Sequence, residues 1–219
     1  MKSENMCCND ELHMVKDDGA LLLRKGDLSL KADWTEDLSR LKQSNLEHEI
    51  LIKAVRIKGQ TVPLKVLDAT AGFGEDSLIL AAAGFSITAC ERNETIAALL
   101  KDCHERALAD SRLSEIANRI NVVSGDSLEL MKPENQFDVI YLDPMFPERK
   151  KSGLIKKKFQ LLQLLESPCD DEEELFAASF AASPKKIVVK RPAKGPYLAG
   201  RKPSHSVSGK VIRYDCYVL

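Results

Sequence analysis

Asp143-Pro144-Met145-Phe146 is the stretch whose residue types come closest to a reaction site. It closes the apolar run Val139-Ile140-Tyr141-Leu142, which predicts a strand, and ligands of an α/β sheet bind beyond strand ends. There it offers a carboxylate, a carbonyl on a residue with no N–H of its own, and an aromatic face. That set suits a flat base carrying an amino group. A conjugated amine is a poor nucleophile because its lone pair is delocalised into the ring. Acceptors that hydrogen-bond its N–H protons favour a pyramidal, attacking nitrogen, and Asp143 with the Pro144 carbonyl is expected to do this. Phe146 is expected to stack on the base, as aromatic side chains do with unpaired or flipped nucleotides. Group transfer to such a nitrogen is mainly a matter of positioning and needs no strong general base. The plainer alternatives are a turn after a strand for Asp-Pro and core packing for Phe146.

A second strand-end loop stands upstream, Asp68-Ala69-Thr70-Ala71-Gly72-Phe73-Gly74, between a strand at Lys65–Asp68 and a helix from Ser77 to Ala83. Gly72 and Gly74 let backbone N–H groups and a helix N-terminus approach a ligand closely, although a tight turn alone would also use them. Glu91 ends the next strand at the offset of about 20 residues where an acid accepts hydrogen bonds from ribose hydroxyls. A dinucleotide site predicts glycine where Ser77 stands, and Glu75 and Asp76 would repel a pyrophosphate. S-adenosyl-L-methionine suits the loop better, because its sulfonium and ammonium are attracted by carboxylates at Asp68, Asp76 and Asp143. Asp126-Ser127, after a third strand, is placed to hydrogen-bond an adenine edge; capping a helix before Leu128 is the other reading.

The elements that carry these loops follow from periodicity. Residues 1–60 read as a small α+β appendage. It has a short hairpin at Ala20–Arg24 and Leu28–Ala32, Trp34 as a core anchor, and one or two amphipathic helices ending near Lys58-Gly59. Residues 61–219 read as one α/β domain. Its strands fall at Lys65–Asp68, Phe85–Cys90, Ile120–Val123, Phe137–Leu142, Lys186–Lys190 and Lys210–Val218. Its helices fall at Ser77–Ala83, Glu94–Ala109, Leu154–Leu165 and Glu172–Ala182. Strand alternating with helix argues for a doubly wound, mostly parallel sheet with right-handed crossovers, closed by a C-terminal antiparallel hairpin at the edge.

Composition narrows the classes. A chain of 219 residues, 44% hydrophobic, fits one domain with an appendage. A net charge of −1 excludes a globally basic nucleic-acid binder, so any RNA contact has to be local. Basic residues are uneven: Arg149-Lys150-Lys151, Lys156-Lys157-Lys158, Lys190-Arg191, Lys194, Arg201-Lys202 and Lys210 crowd the last third, near the Asp-Pro loop. Lys150, Lys151, Lys190 and Arg191 are the candidate phosphate contacts, and salt-dependent binding follows. Six cysteines without a C-x-x-C pair or a nearby histidine at ligand spacing predict reduced thiols and no metal. With no apolar run of signal or membrane-spanning length, a cytoplasmic location without a membrane partner is expected.

The stretches Asp68–Asp76, Cys90-Glu91-Arg92-Asn93, Tyr141–Pro147 and Val188-Val189-Lys190-Arg191-Pro192, in this order, resemble the ribosomal RNA small subunit methyltransferase J family. The resemblance runs from about Lys53 to the C-terminus, and Asp-Pro-Met-Phe-Pro followed by lysine-rich sequence is its most specific part. It implies a Rossmann-like class I methyltransferase and cofactor contacts at Glu75-Asp76, Glu91-Arg92, Asp126-Ser127 and Asp143. It also implies methylation of a guanine 2-amino group in 16S rRNA, with that RNA or the small ribosomal subunit as partner. The chain departs from the family pattern at Glu75, where a basic residue is expected. It departs again at Gln43–Glu49, which replaces a glycine-rich basic segment and leaves Arg40 and Lys42 as its basic residues. Two other readings remain on the residues themselves: methylation of another planar amine (adenine, cytosine or a glutamine side chain), which product mapping separates, and a non-catalytic RNA-binding assembly factor, which saturable cofactor binding excludes.

Overall fold

Strand and helix alternate as the apolar pattern requires, and they build two sheets of unequal size. In the computed structural model, which describes residues 11–60, 63–144, 161, 165 and 172–219, the smaller sheet is antiparallel. It consists of β1 (His13–Asp17), β2 (Ala20–Lys25) and β3 (Leu28–Leu30). β2 and β3 are the expected hairpin; β1 is an addition. Its sequence, His-Met-Val-Lys-Asp, is almost wholly exposed and lacks an apolar alternation. The legible signal was the turn, Asp18-Gly19, with both residues at positive φ as a two-residue hairpin turn demands. Leu23 and Leu30 pack on Leu99, and the Leu21 N–H donates to Asp102 at 3.1 Å, so this sheet lies against a helix of the larger unit.

A short 3-10 turn at Trp34–Asp37, then α1 (Gln43–Leu46) and α2 (Ile50–Val55), stand where longer amphipathic helices were expected. Local side chains break the run. Asp33 accepts the Thr35 N–H at 3.1 Å, and the Asn45 amide takes the Ser39 carbonyl at 2.7 Å, which a continuous helix would have used.

The larger sheet holds β4 (Lys65–Asp68), β5 (Ser86–Glu91), β6 (Ile120–Ser124), β7 (Val139–Leu142), β8 (Lys186–Pro192), β9 (His205–Ser208) and β10 (Ile212–Val218). Their spatial order is β6-β5-β4-β7-β8-β10-β9. The first five are parallel, and β10 runs antiparallel to both neighbours. β8 and β10 form the expected antiparallel pair, but the sheet edge is β9 rather than β10. The sequence of β9, His-Ser-Val-Ser, is polar and mostly exposed, as an edge strand can be, and so carries little apolar signal. The described helices of this unit are α3 (Glu75–Ala82), α4 (Glu94–Ala109), α5 (Ser114–Ala117) and α6 (Glu172–Ala181). The helix expected at Leu154–Leu165 lies largely outside the described residues.

Period-two alternation sends successive strand residues into separate cores. Val66, Val139, Tyr141 and Val188 join Trp34 and the α2 and α3 side chains in one. Leu67, Ile140, Leu142, Ile187 and Val189 join Leu175 and Phe176 of α6 in the other. Each fully buried aliphatic side chain stabilises the fold by about 1.5–3 kcal/mol, which is why this sheet needs apolar residues on both faces. Cys90, Cys103 and Cys216 are buried free thiols, and burial pushes Cys90 up to about 12, far from the reactive thiolate. No described helix is long and apolar enough to cross a membrane.

α4 starts where Asn93 leaves extended backbone and its side chain accepts the N–H groups of Thr95 and Ile96 at 3.0 and 3.1 Å. Asn93→Ala is expected to lower stability by about 1 kcal/mol, read as an earlier urea midpoint, since it removes the cap and the side-chain amide bond to the Leu165 carbonyl at 2.7 Å. An unmoved midpoint in the alanine variant would mean that the cap contributes nothing.

Candidate active site

β4 is the point where strand order reverses, with β5 and β6 laid on one side and β7 and β8 on the other. A crevice opens beyond the carboxyl ends of strands at such a point. Parallel register brings Asp68 to the end of β4, Glu91 to the end of β5, and Asp143, just past β7, level with Lys190 of β8. Four of the residues singled out from sequence therefore converge.

The loop after β4 is held from three directions. Asp68 is buried, accepts the Ser77 hydroxyl at 2.6 Å and faces the Thr70 N–H at 3.3 Å. Burial pushes its carboxyl up to about 7, with Asp76 and Asp143 adding to the rise and the two hydrogen bonds opposing it. Glu91 links two loops, one oxygen accepting the Gly72 N–H and the other the Asn93 N–H, both at 2.8 Å. Each of those oxygens keeps a lone pair for a further donor. Trp34 donates its indole N–H to the Phe73 carbonyl at 2.9 Å, so the expected N-terminal core anchor packs against the loop itself. Gly74 has φ +76°, and a Cβ there would stand 2.7 Å from Leu100 Cδ1 and 2.9 Å from Trp34 Cζ2. Gly72, at φ +55°, has nothing within 4 Å of a built Cβ and so faces open space.

On the β7 side, the Asp143 N–H donates to Thr70 Oγ1 at 2.7 Å, tying the Asp-Pro loop to the glycine loop. The Lys190 ammonium lies 2.8 Å from Asp143 Oδ2 and 2.8 Å from Asp76 Oδ2, and the Tyr141 hydroxyl donates to the same Asp76 oxygen at 2.6 Å. Burial works against the Lys190 charge, but the two carboxylates outweigh it and hold its pKa above the ordinary value. Asp143 is raised by burial and by Asp76, against the pull of Lys190. Sequence reasoning had no access to Thr70, Tyr141 or Ser77 as partners, because each contact joins residues 9 to 73 positions apart.

Other candidates fall elsewhere. Asp126 caps the 3-10 turn Ser127–Glu129 by accepting the Leu128 N–H at 2.9 Å, so the capping contact is present at the end of β6; Ser127 is buried beneath it. Glu75 and Arg92 are exposed beside Asp76 and Glu91. Lys190 and Arg191 part to opposite faces of β8, as alternation dictates. Arg191 is buried, with Nε donating to the Pro196 carbonyl at 3.0 Å and Nη1 3.8 Å from Glu172. The neighbouring Arg213 donates to the carbonyls of Pro192, Ala193 and Gly195 and pairs with Asp215, fixing the loop that follows β8 and exposes Lys194. Pro144 is buried at the end of the described segment, while Phe146, Lys150 and Lys151 lie outside the described residues. In the departing segment, Arg40 pairs with Glu49 at 3.1 Å, and Asp76 adds to the field that raises its pKa against the effect of burial.

The donor set fits a cationic ligand. Among the described residues, Asp68, Glu91, Asp76 and Asp143 bring four carboxyl groups to the crevice, with the Lys190 ammonium against Asp76 and Asp143, and the space over Gly72 is open. A pyrophosphate would meet that field with repulsion; a sulfonium and an ammonium would meet attraction. The family model described as "Putative SAM-dependent methyltransferase" matches residues 5–219. A ribosomal RNA small subunit methyltransferase J from Thioalkalivibrio sulfidiphilus is 43% identical over 182 residues, 82% of this chain and 71% of that protein. One from Hahella chejuensis is 45% identical over 175 residues, 78% of this chain and 64% of that protein. The crystal structure of a SAM-dependent methyltransferase from Neisseria gonorrhoeae aligns with a TM-score of 0.78 at 30% identity, covering 98% of this chain and 86% of that one. Sheet order, loops and relatives define a Rossmann-like class I methyltransferase that uses S-adenosylmethionine. Within that class, the chain belongs to the ribosomal RNA small subunit methyltransferase J family.

Proposed function

We propose that this protein methylates the exocyclic 2-amino group of a guanine in 16S rRNA of the small ribosomal subunit, acting in the cytoplasm. The observation that carries the reading is the anchoring of Asp143, by Thr70 through its backbone and by Lys190 through its side chain, beside the glycine loop. The names of the curated relatives, small-subunit rRNA methyltransferases, support the substrate class.

Asp68, the backbone of Gly72, Asp76, Glu91 and the Asp126-Ser127 turn would hold the cofactor, with Gly74, Glu75 and Arg92 shaping its loops. The bound cofactor supplies an electrophilic methyl group on a cationic sulfur. Asp143 accepts one N–H of the amine and the Pro144 carbonyl accepts the other, which turns the nitrogen lone pair out of conjugation. Burial beneath the Asp-Pro loop lowers the local dielectric and strengthens both contacts. Phe146 stacks on the base. Lys150 and Lys151, with Lys194 on the loop after β8, contact phosphates, so binding weakens as salt rises.

Incubating the purified chain with tritiated S-adenosylmethionine and small subunits or 16S rRNA from cells lacking this activity is expected to label the RNA, with N2-methylguanosine as the product by mass mapping. Saturable cofactor binding without label in either RNA substrate, with or without magnesium, would overturn the substrate assignment. Label on adenine or cytosine would overturn the choice of base.

A further inference from the structure

We propose that Lys190 is a positioning residue, whose ammonium joins Asp76 to Asp143 and so fixes the Asp143 carboxylate as an acceptor for the substrate amine. The inference rests on the reading of Asp143 given above and assigns Lys190 a different task from the phosphate contact its position in a basic run implies.

Geometry places it there. β7 and β8 are in parallel register with Leu142 opposite Val189, so Asp143, the first residue after β7, stands beside Lys190, which is still within β8. Lys190 sits opposite Tyr214 of β10, whose ring centroid lies 6.3 Å from that of Tyr141. Two of its three hydrogens are committed to carboxylates at 2.8 Å, and its side chain is 24% exposed. A phosphate at this ammonium would compete with two carboxylates already in contact with it. The bridge also spans the two halves of the site, since Asp76 lies in the first turn of α3 and Asp143 follows β7.

The charge balance gives the bridge a consequence. Among the described residues, the groups acting on Asp143 and Asp76 include Lys190 from β8, Asp68 from β4, Tyr141 from β7, Tyr214 from β10, and Arg40 near α1. Burial and Asp76 both favour the protonated form of Asp143, and Lys190 favours the ionised one. A protonated carboxyl donates where the amine needs an acceptor. Removing the ammonium therefore raises the pKa of Asp143 and moves the acidic limb of the rate profile to higher pH. Each unit of that movement lowers transfer about tenfold on the acidic side.

Lys190→Met and Lys190→Arg test this in the intact chain, with thermal melting and S-adenosylmethionine titration as checks on folding. The methionine variant is expected to retain cofactor binding, to lose roughly tenfold or more of its transfer at pH 7, and to recover part of it as pH rises. The arginine variant keeps the wild-type profile. Independently of turnover, carbon-13 NMR of the Asp143 carboxyl in the protein alone should titrate at higher pH in the methionine variant and unchanged in the arginine variant. An unmoved Asp143 titration in Lys190→Met overturns the proposal. If the wild-type protein labels no rRNA, the reading of the substrate falls, and the carboxyl titration still decides whether Lys190 sets the state of Asp143.

Discussion

Asp143→Ala is expected to lower methyl transfer to 16S rRNA at least about 100-fold, the scale on which enzymes lose rate when one preorganised polar contact at the reacting centre is removed. The substitution deletes the carboxylate and leaves the backbone in place, because the Asp143 N–H to Thr70 Oγ1 contact does not use the side chain. Lys190 keeps Asp76 as its partner, and the Asp143 side chain is 32% exposed, so unfolding free energy should change by no more than about 1 kcal/mol. The loss should fall on kcat, with the KM for RNA nearly unchanged, since the contact matters most when the amine is turned toward attack. Asp143→Asn retains one acceptor oxygen but adds an NH2 group and removes the charge that pairs with Lys190, and an intermediate rate is expected. Filter-bound tritium counts at saturating RNA measure both variants. An alanine variant within a few-fold of wild type would remove Asp143 from the mechanism.

The residues behind that prediction are legible in the sequence, and the reason is local. A carboxylate, a proline and a strand end are adjacent in the chain, as are the glycines and the first turn of α3, so their chemistry can be read from neighbours. α4 was legible at its start, because Asn93 caps it, and closely at its end, because its apolar positions recur at helical spacing to about Ala109. β1 and β9 were not, since short exposed strands have no apolar face to display. Lys190 marks a different boundary. Beside Arg191 and Pro192 it reads as part of a basic run, yet its partners lie 114 and 47 residues away. Only the register of β7 against β8 reveals that it faces carboxylates. Trp34 was legible as a buried anchor, but its indole N–H to the Phe73 carbonyl is a contact across 39 residues that no periodicity encodes. Sequence thus exposes the groups that act on substrate more readily than those that hold them in place.

The two glycines of the cofactor loop divide these roles, and alanine at each should fail in a different way. At Gly74 the backbone has φ +76°, which costs an alanine about 1–2 kcal/mol, and the added Cβ would collide with Leu100 and Trp34. Both neighbours are fully buried, and Trp34 is also tethered through its indole to Phe73, so neither yields easily. Overpacking of this kind adds about 1–3 kcal/mol, so Gly74→Ala should lose about 2–5 kcal/mol and melt on the order of 10 °C early. At Gly72 only the backbone term applies, for φ is +55° and nothing lies within 4 Å of the new methyl. Gly72→Ala should therefore melt within a few degrees of wild type, yet bind S-adenosylmethionine about tenfold or more weakly, because the methyl enters the face from which a ligand approaches the Gly72 backbone. Differential scanning calorimetry and isothermal titration on the same preparations separate the two effects. Wild-type cofactor affinity in Gly72→Ala would mean that the open face of the loop is not the cofactor side. Wild-type melting in Gly74→Ala would mean that Trp34 does not brace the loop.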